Sequence, residues 1–331
     1  MRAAFIEKLG PPEVIQVGEL PDPEIGAEDV LIASEFAAVN PIDCYLRSGA
    51  APAPLKMPFV LGCDLAGVVE RVGANVVDLR VGDRVWTTRQ GFFGRPGTYS
   101  EKFCCDQTQV FRVPHHVNLR LAAACGLVGL TAHVGLVDRA RIKVGETLFV
   151  RGGSGGIGAT VIQIAKNLGA KVFCTAGSAE KMEACRETGA DDVVNYREND
   201  WVSFAREICP RGIDVFWDAT REPDLDGACQ VLADGGRIVL MAGREARSVV
   251  PVGLFYTKQL SMHGVMVPKT SAAAMQAAAA DMNRWLESGD LRIRIAQEFP
   301  LEEAVAAHRL QESITLEAST DVFGKILIRF G

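Results

Sequence analysis

Thr147-Leu148-Phe149-Val150-Arg151-Gly152-Gly153-Ser154-Gly155-Gly156-Ile157-Gly158 is the stretch that decides how this chain folds. A short apolar run enters a glycine cluster, after which Ile157, Val161, Ile164, Ala165 and Leu168 recur at helical spacing until Gly169. The pattern Gly153-x-Gly155-x-x-Gly158 says little alone, but a strand before it and a helix after it supply the context it needs. Glycines permit the tight turn and a close backbone approach, and the helix start offers unpaired N–H groups and a partial positive charge. That combination predicts a pyrophosphate cradle; the alternative is a tight turn that binds nothing.

Outward from this stretch, strand-like and helical runs alternate through Lys171 to Thr175, Glu180 to Glu187, Asp192 to Asn195, Val202 to Ile208, Ile213 to Asp218, Leu225 to Leu232 and Arg237 to Ala242. Leu260 to Val267 supplies a sixth strand. Such alternation predicts an α/β fold with a doubly wound, mainly parallel sheet. Upstream, to about residue 120, short β-prone runs such as Gly67 to Val72 and Arg84 to Thr88 are closed by turns like Gly82-Asp83, which suggests a small barrel. Downstream, helical patterning over Ala272 to Leu286 and Leu301 to Leu310 gives way to a strand-like Phe323 to Ile328. This tail is expected to return to the N-terminal section, so that residues 1–121 and 268–331 form one domain and 122–267 are the inserted nucleotide-binding domain.

Composition narrows the function classes. A length of 331 residues suits two domains, and 35 basic against 41 acidic residues leave a net charge of −6. Nucleic acid and anionic membrane both reward a basic footprint, so neither is expected as partner. The nine cysteines include no C-x-x-C pair, which argues against a disulfide framework or zinc ribbon. With an N-terminus that reaches charge before a signal-length apolar run, the expectation is a soluble protein of a reducing cytoplasm.

The second strand of the nucleotide unit distinguishes the dinucleotides. An NAD site usually places Asp or Glu about 20 residues past the loop, on the ribose 2′-hydroxyl. Here Thr175-Ala176-Gly177-Ser178-Ala179-Glu180-Lys181 ends the strand without an acid and puts a hydroxyl, then a cation, at the helix start. A 2′-phosphate suits that electrostatically, so NADPH is the expected cofactor, although Lys181 reads equally as a solvated helix residue.

Gly62-Cys63-Asp64-Leu65-Ala66-Gly67-Val68-Val69-Glu70, upstream of such a domain, resembles the medium-chain dehydrogenase/reductase superfamily, whose zinc enzymes carry Gly-His-Glu where Gly62-Cys63-Asp64 stands. Val39-Asn40-Pro41-Ile42-Asp43-Cys44-Tyr45-Leu46-Arg47-Ser48-Gly49, Gly129-Leu130-Thr131-Ala132, Asn195-Tyr196-Arg197 and Gly324-Lys325 place the likeness in its zinc-independent branch, the quinone oxidoreductase (ζ-crystallin-like) family. The resemblance covers nearly the whole chain. It implies a GroES-like β-barrel catalytic domain beside a Rossmann domain, and a homodimer. It also implies cofactor contacts from Ser154, Gly155, Gly156 and Ile157 at the pyrophosphate and from Gly177, Ser178, Lys181 and Tyr196 around the 2′-phosphate. Thr131, Gly243, Arg244, Val265, Met266 and Val267 are implied near the nicotinamide.

Catalytic zinc needs three converging protein ligands. The positions implied by the resemblance fall at or near Asn40, Cys63 and Leu127, a set that holds one thiol, so no metal is expected. Reduction of an electron-poor acceptor by NADPH then asks mainly for alignment, exclusion of water and a hydrogen bond or two. Asn40 and Tyr45 are the implied catalytic residues, as donors to a nascent oxyanion and, for Tyr45, as a cofactor contact. Asn40-Pro41 also reads as a plain N-cap with Pro at the first helical position, and Asp43 and Arg47 as partners of each other or of nearby backbone. Asp218-Ala219-Thr220-Arg221-Glu222 departs from the family's usual Val-Gly-Gly-type turn, and Thr88 to Pro96 reads as either an aromatic flap or a surface loop. The function expected is a quinone reductase. Alternatives are reduction of an activated carbon–carbon double bond in an enone or enoyl thioester, or non-catalytic NADPH binding in a structural or RNA-binding protein.

Overall fold

Thr147–Arg151 is an inner strand of a six-stranded, all-parallel sheet in the computed structural model, which describes residues 1–317 and 322–331. With β1 as Thr147–Arg151, β2 as Lys171–Ala176, β3 as Asp192–Asn195, β4 as Ile213–Asp218, β5 as Leu232–Leu240 and β6 as Ser261–Gly264, the order is β3-β2-β1-β4-β5-β6. That is the doubly wound order, with its switch point between β1 and β4, where ligands bind beyond the carboxyl ends of the strands. Leu148, Phe149 and Val150 are fully buried, as expected for a parallel strand covered on both faces. Phe149 stacks on Phe216 with centroids 5.8 Å apart, and Trp201 closes the cluster at 5.3 Å.

The helix Gly156–Asn167 follows the glycine loop, burying Val161, Ile162, Ile164 and Ala165, and Gly169 ends it in the left-handed conformation (φ +81°). Two strands differ from the sequence expectation. β5 starts five residues earlier than the expected Arg237, through an irregular register against β4, and β6 is only Ser261–Gly264, because Pro268 lies in a short 3₁₀ turn over Val267–Lys269.

The second compact unit is antiparallel. Its axis is the eleven-residue strand Asp29–Val39, which pairs with Asp64–Val72, with Lys102–Asp106 and with Lys325–Arg329. Two register shifts against Asp64–Val72 bend the sheet. The tail thus pairs with the N-terminal section, and Ala37, Val39, Leu65, Val69, Ile326 and Ile328 share one core.

The units comprise Met1–Leu127, Ala279–Ser288 and Ile293–Gly331 on one side and Val128–Ala278 and Gly289–Arg292 on the other. The chain therefore passes between the units at 127/128, 278/279, 288/289 and 292/293; the boundaries expected from the sequence are 121/122 and 267/268. The continuous helical stretch Leu119–Arg139 is long and apolar enough to cross a membrane by composition, yet 78% of its most apolar window is buried within the protein.

Candidate functional site

The nucleotide unit gathers its expected residues at the strand ends. Gly152 adopts φ +83°, its amide donates to Thr175 Oγ1 at 3.0 Å, and the Gly153 amide donates to the Thr175 carbonyl at 3.0 Å, so the end of β2 holds the loop. A Cβ on Gly158 would lie 2.1 Å from the Gly152 carbonyl oxygen, which explains the last glycine of the pattern. Gly155 is the N-cap of the helix and offers no side-chain acceptor, so the first helical amides, at Gly156 and Ile157, receive no side-chain cap from it.

At the ends of β2 and β3, the Tyr196 hydroxyl lies over Gly177, where a Cβ would stand 2.8 Å from it. Ser178 caps the helix Ala179–Glu187 by accepting from the Lys181 amide at 3.3 Å. Gly177, Ser178, Lys181 and Tyr196 are therefore one group around an acid-free strand end. Gly243 follows β5 in a left-handed turn (φ +78°) against Pro223, with Arg244 next to it, and Val265, Met266 and Val267 follow β6; Val265 and Val267 are buried and Met266 is half exposed. Thr131 lies buried in the helix Leu119–His133.

Asp218 is fully buried. It accepts from Arg151 at 2.7 Å, from the Thr220 hydroxyl at 2.6 Å and amide at 2.9 Å, and from the Asp224 amide at 3.2 Å. Thus the unusual turn is pinned to the end of β1. Arg221 and Glu222 are its exposed part.

The antiparallel unit holds a buried polar cluster. Asn40 and Pro41 open the helix Pro41–Ser48, and the Asp43 carboxylate accepts from the Asn40 backbone amide at 2.8 Å, from Tyr99 Oη at 3.1 Å and from Cys63 Sγ at 2.9 Å. Asp64 accepts from Thr88 Oγ1 at 2.5 Å, from Asn40 Nδ2 at 2.9 Å and from the Leu127 amide. Lys325 Nζ donates to Asn40 Oδ1 at 2.6 Å and to the Val39 carbonyl at 3.0 Å. Burial pushes Asp43 up to about 6, against the pull of its Cys63 and Asn40 donors. Burial also raises Asp64 and lowers Lys325, each opposed by the other's charge.

This geometry corrects one expectation. The Asn40 amide spends its N–H groups on the Ala38 carbonyl, at 3.2 Å, and on Asp64, so it is not a free donor to a substrate. Tyr45 is half-buried beside Leu46, Ala51, Cys63 and Phe92. Asp43 and Arg47 go to different partners, since Arg47 Nε donates to the Gly10 carbonyl at 3.1 Å and its guanidinium pairs with Glu312. The segment Thr88 to Pro96 is divided: Phe92 packs in the Tyr45 cluster while Phe93 is 63% exposed. The sequence reading missed Thr88 and Tyr99, and noted Lys325 only as part of a resemblance. A lysine inside the apolar run Phe323 to Ile328 was the available signal, because a strand charge without solvent needs a partner.

Residues 26–115 match the family described as "Alcohol dehydrogenase GroES-like domain", and residues 156–284 match "Zinc-binding dehydrogenase". The chain is 31% identical to a quinone oxidoreductase of Lama guanicoe over 99% of its length and 97% of the relative's. Among solved structures it resembles an NAD-dependent alcohol dehydrogenase (TM-score 0.90, 32% identity, all of both chains) and an Escherichia coli quinone oxidoreductase complexed with NADPH (TM-score 0.86, 27% identity, all of both chains).

The second family description raises zinc, and the donor set does not fit it. Cys63 is a protonated thiol given to Asp43, with burial and the nearby carboxylates holding its pKa well above the ordinary thiol value. The Asn40 oxygen is taken by Lys325, and Leu127 offers only a backbone amide. Among the described residues, no three His, Cys, Asp or Glu side chains are grouped to hold a metal ion.

Proposed function

The chain belongs to the quinone oxidoreductase family of the medium-chain dehydrogenase/reductase superfamily, and from that premise we propose that this oxidoreductase uses NADPH to reduce a quinone-like acceptor. The observation that carries the cofactor is the end of β2, where Gly177, Ser178, Lys181 and Tyr196 surround a strand end without an acid. A carboxylate there would repel a 2′-phosphate, whereas Lys181 and the hydroxyls of Ser178 and Tyr196 complement it. Bound NADPH supplies a hydride. The helix-start amides of Gly156 and Ile157, with Ser154 and Gly155 beside them, hold the pyrophosphate, and Gly243, Arg244 and Val265 to Val267 border the nicotinamide.

Acceptor chemistry falls to the antiparallel unit. Tyr45, half-buried beside Phe92, offers a phenol to the oxygen that gains charge, and the apolar side chains around it exclude water. Asn40 acts through Asp64 and Lys325, as the brace that fixes the start of the Tyr45 helix. A quinone needs no more than this, because the oxyanion formed is delocalised.

The nine free cysteines suit a reducing compartment, and the acidic net charge suits a small-molecule enzyme better than a nucleic-acid or membrane binder. β6 lies at the sheet edge with exposed Met262, Val252 and Tyr256 nearby, which supports a homodimer; sedimentation gives the mass.

A panel of quinones, enones and enoyl thioesters, assayed with NADPH in the parent and in Tyr45→Phe, tests the reading. Quinone turnover in the parent is expected. If Tyr45→Phe spares quinones but abolishes enone turnover, double-bond reduction is the adapted activity. Tight NADPH binding with no turnover of any acceptor would replace the enzyme reading with non-catalytic dinucleotide binding.

A further inference from the structure

Two thiols form the floor of the glycine loop. Cys174 in β2 and Cys185 in the helix Ala179–Glu187 are 0% and 1% exposed, and both lie under the same point of the loop. A Cβ on Gly153 would stand 2.7 Å from Cys174 Sγ and 3.1 Å from Cys185 Sγ, so both sulfurs press on one point of the loop. Their carriers are the two halves of the proposed nucleotide site. β2 continues into Thr175, which holds the amides of Gly152 and Gly153, and the helix begins at Ser178 and carries Lys181.

We propose that Cys174 and Cys185 are a modification site, joined in a disulfide by hydrogen peroxide acting as a two-electron oxidant, with loss of dinucleotide affinity. The affinity change rests on the NADPH reading above. In the first step one thiol takes an oxygen from the peroxide, the O–O bond breaks, and a sulfenic acid and one water result. The other thiol then attacks that sulfur; the S–S bond forms, the S–O bond breaks, and the hydroxyl leaves with the thiol proton as a second water. Each sulfur gives up one electron, and the peroxide is reduced to two waters. An S–S bond of about 2.05 Å is far shorter than the contact of two unbonded sulfurs, so the helix is drawn toward β2 and shifts Gly153 and Ser178 together. The partner thiol and burial both raise the pKa of Cys174, so reaction waits on opening of the loop, and a dinucleotide seated on the loop slows it.

The test treats the reduced chain with hydrogen peroxide, with and without saturating NADPH, then maps peptides after thiol blocking and titrates NADPH by fluorescence. Expected are a linked Cys174–Cys185 peptide, a rise of about tenfold or more in the Kd for NADPH that dithiothreitol reverses, and slower linkage when NADPH is present. Cys185→Ala, with Cys174→Ala as a second variant, is expected to have the same Kd before and after peroxide. Failure to link while other cysteines are oxidised overturns the proposal, as does a linked protein whose Kd is unchanged. If the reduced parent does not bind NADPH, the functional reading falls. The thiol pair is then judged by hydrogen exchange over residues 152–158 and 178–187, where altered exchange on linkage supports the site and unaltered exchange overturns it.

Discussion

Lys325 is a cation inside a β-strand, 4% exposed, between two buried carboxylates. Its ammonium fixes the Asn40 oxygen, and Asn40 fixes Asp64, so the charge is part of the brace that starts the helix carrying Tyr45. Removing one member of a buried pair leaves an uncompensated charge, which typically costs about 3–5 kcal/mol. Lys325→Met is therefore expected to lower urea stability by about that much, and adding Asp64→Asn should recover part of the loss. Equal stability of parent and Lys325→Met would remove the brace. At the cofactor end, Lys181→Met should weaken NADPH binding by about tenfold while leaving NADH binding unchanged, measured by fluorescence titration.

The glycine loop and its helix give a sharper contrast at the level of elements. Gly158→Ala places a methyl 2.1 Å from the Gly152 carbonyl, whereas Gly155→Ala meets that oxygen at an ordinary 3.6 Å. Gly158→Ala is expected to lose about 2 kcal/mol or more of stability together with NADPH binding. Gly155→Ala should keep its melting temperature and lose affinity alone, because the added methyl lies where the phosphate approaches. These elements were legible in the sequence because glycine spacing and helical periodicity are local signals, and the acid-free end of β2 was legible for the same reason. The start of β5 was not, since Asp234-Gly235-Gly236 reads as a turn while its pairing with β4 is tertiary. Nor was the polar cluster: Asp43, Asp64, Thr88, Tyr99 and Lys325 are far apart in sequence, and only strand pairing brings them together. Two of the four passages between the units, at 127/128 and 278/279, lie inside helices, where composition does not change.

For the molecule as a whole, two buried groups set opposite acid responses. His308 is fully buried, with Nδ1 facing Cys44 Sγ at 3.5 Å and Arg47 at 3.4 Å, and burial pulls its pKa down to about 3, with the Arg47 charge adding to the effect. The unfolded histidine takes up a proton below its ordinary pKa while the folded one does not, so stability falls as pH drops from about 6.5 toward 3. Asp43 works the other way: raised to about 6, it binds its proton more readily when folded, and its adverse contribution fades as pH falls from 6 to 3.8. His308→Gln removes only the first effect. Relative to the parent, this variant should gain about 2 kcal/mol between pH 7 and pH 5, read from urea midpoints at each pH. A difference that does not change with pH would show that His308 is protonated in the folded protein.

The pairing of Lys325–Arg329 with the strand Asp29–Val39 has a consequence for biosynthesis. The ribosome releases the whole parallel-sheet unit before it releases the strand that completes the antiparallel one. During that interval the edge of Asp29–Val39 has no partner there, and Asp64 has no counter-charge from Lys325. Contacts of such long sequence separation form slowly. A nascent chain stalled short of residue 325 should therefore hold a protease-resistant nucleotide unit beside an N-terminal section that is still open to cleavage, and this is the interval in which a chaperone has something to bind.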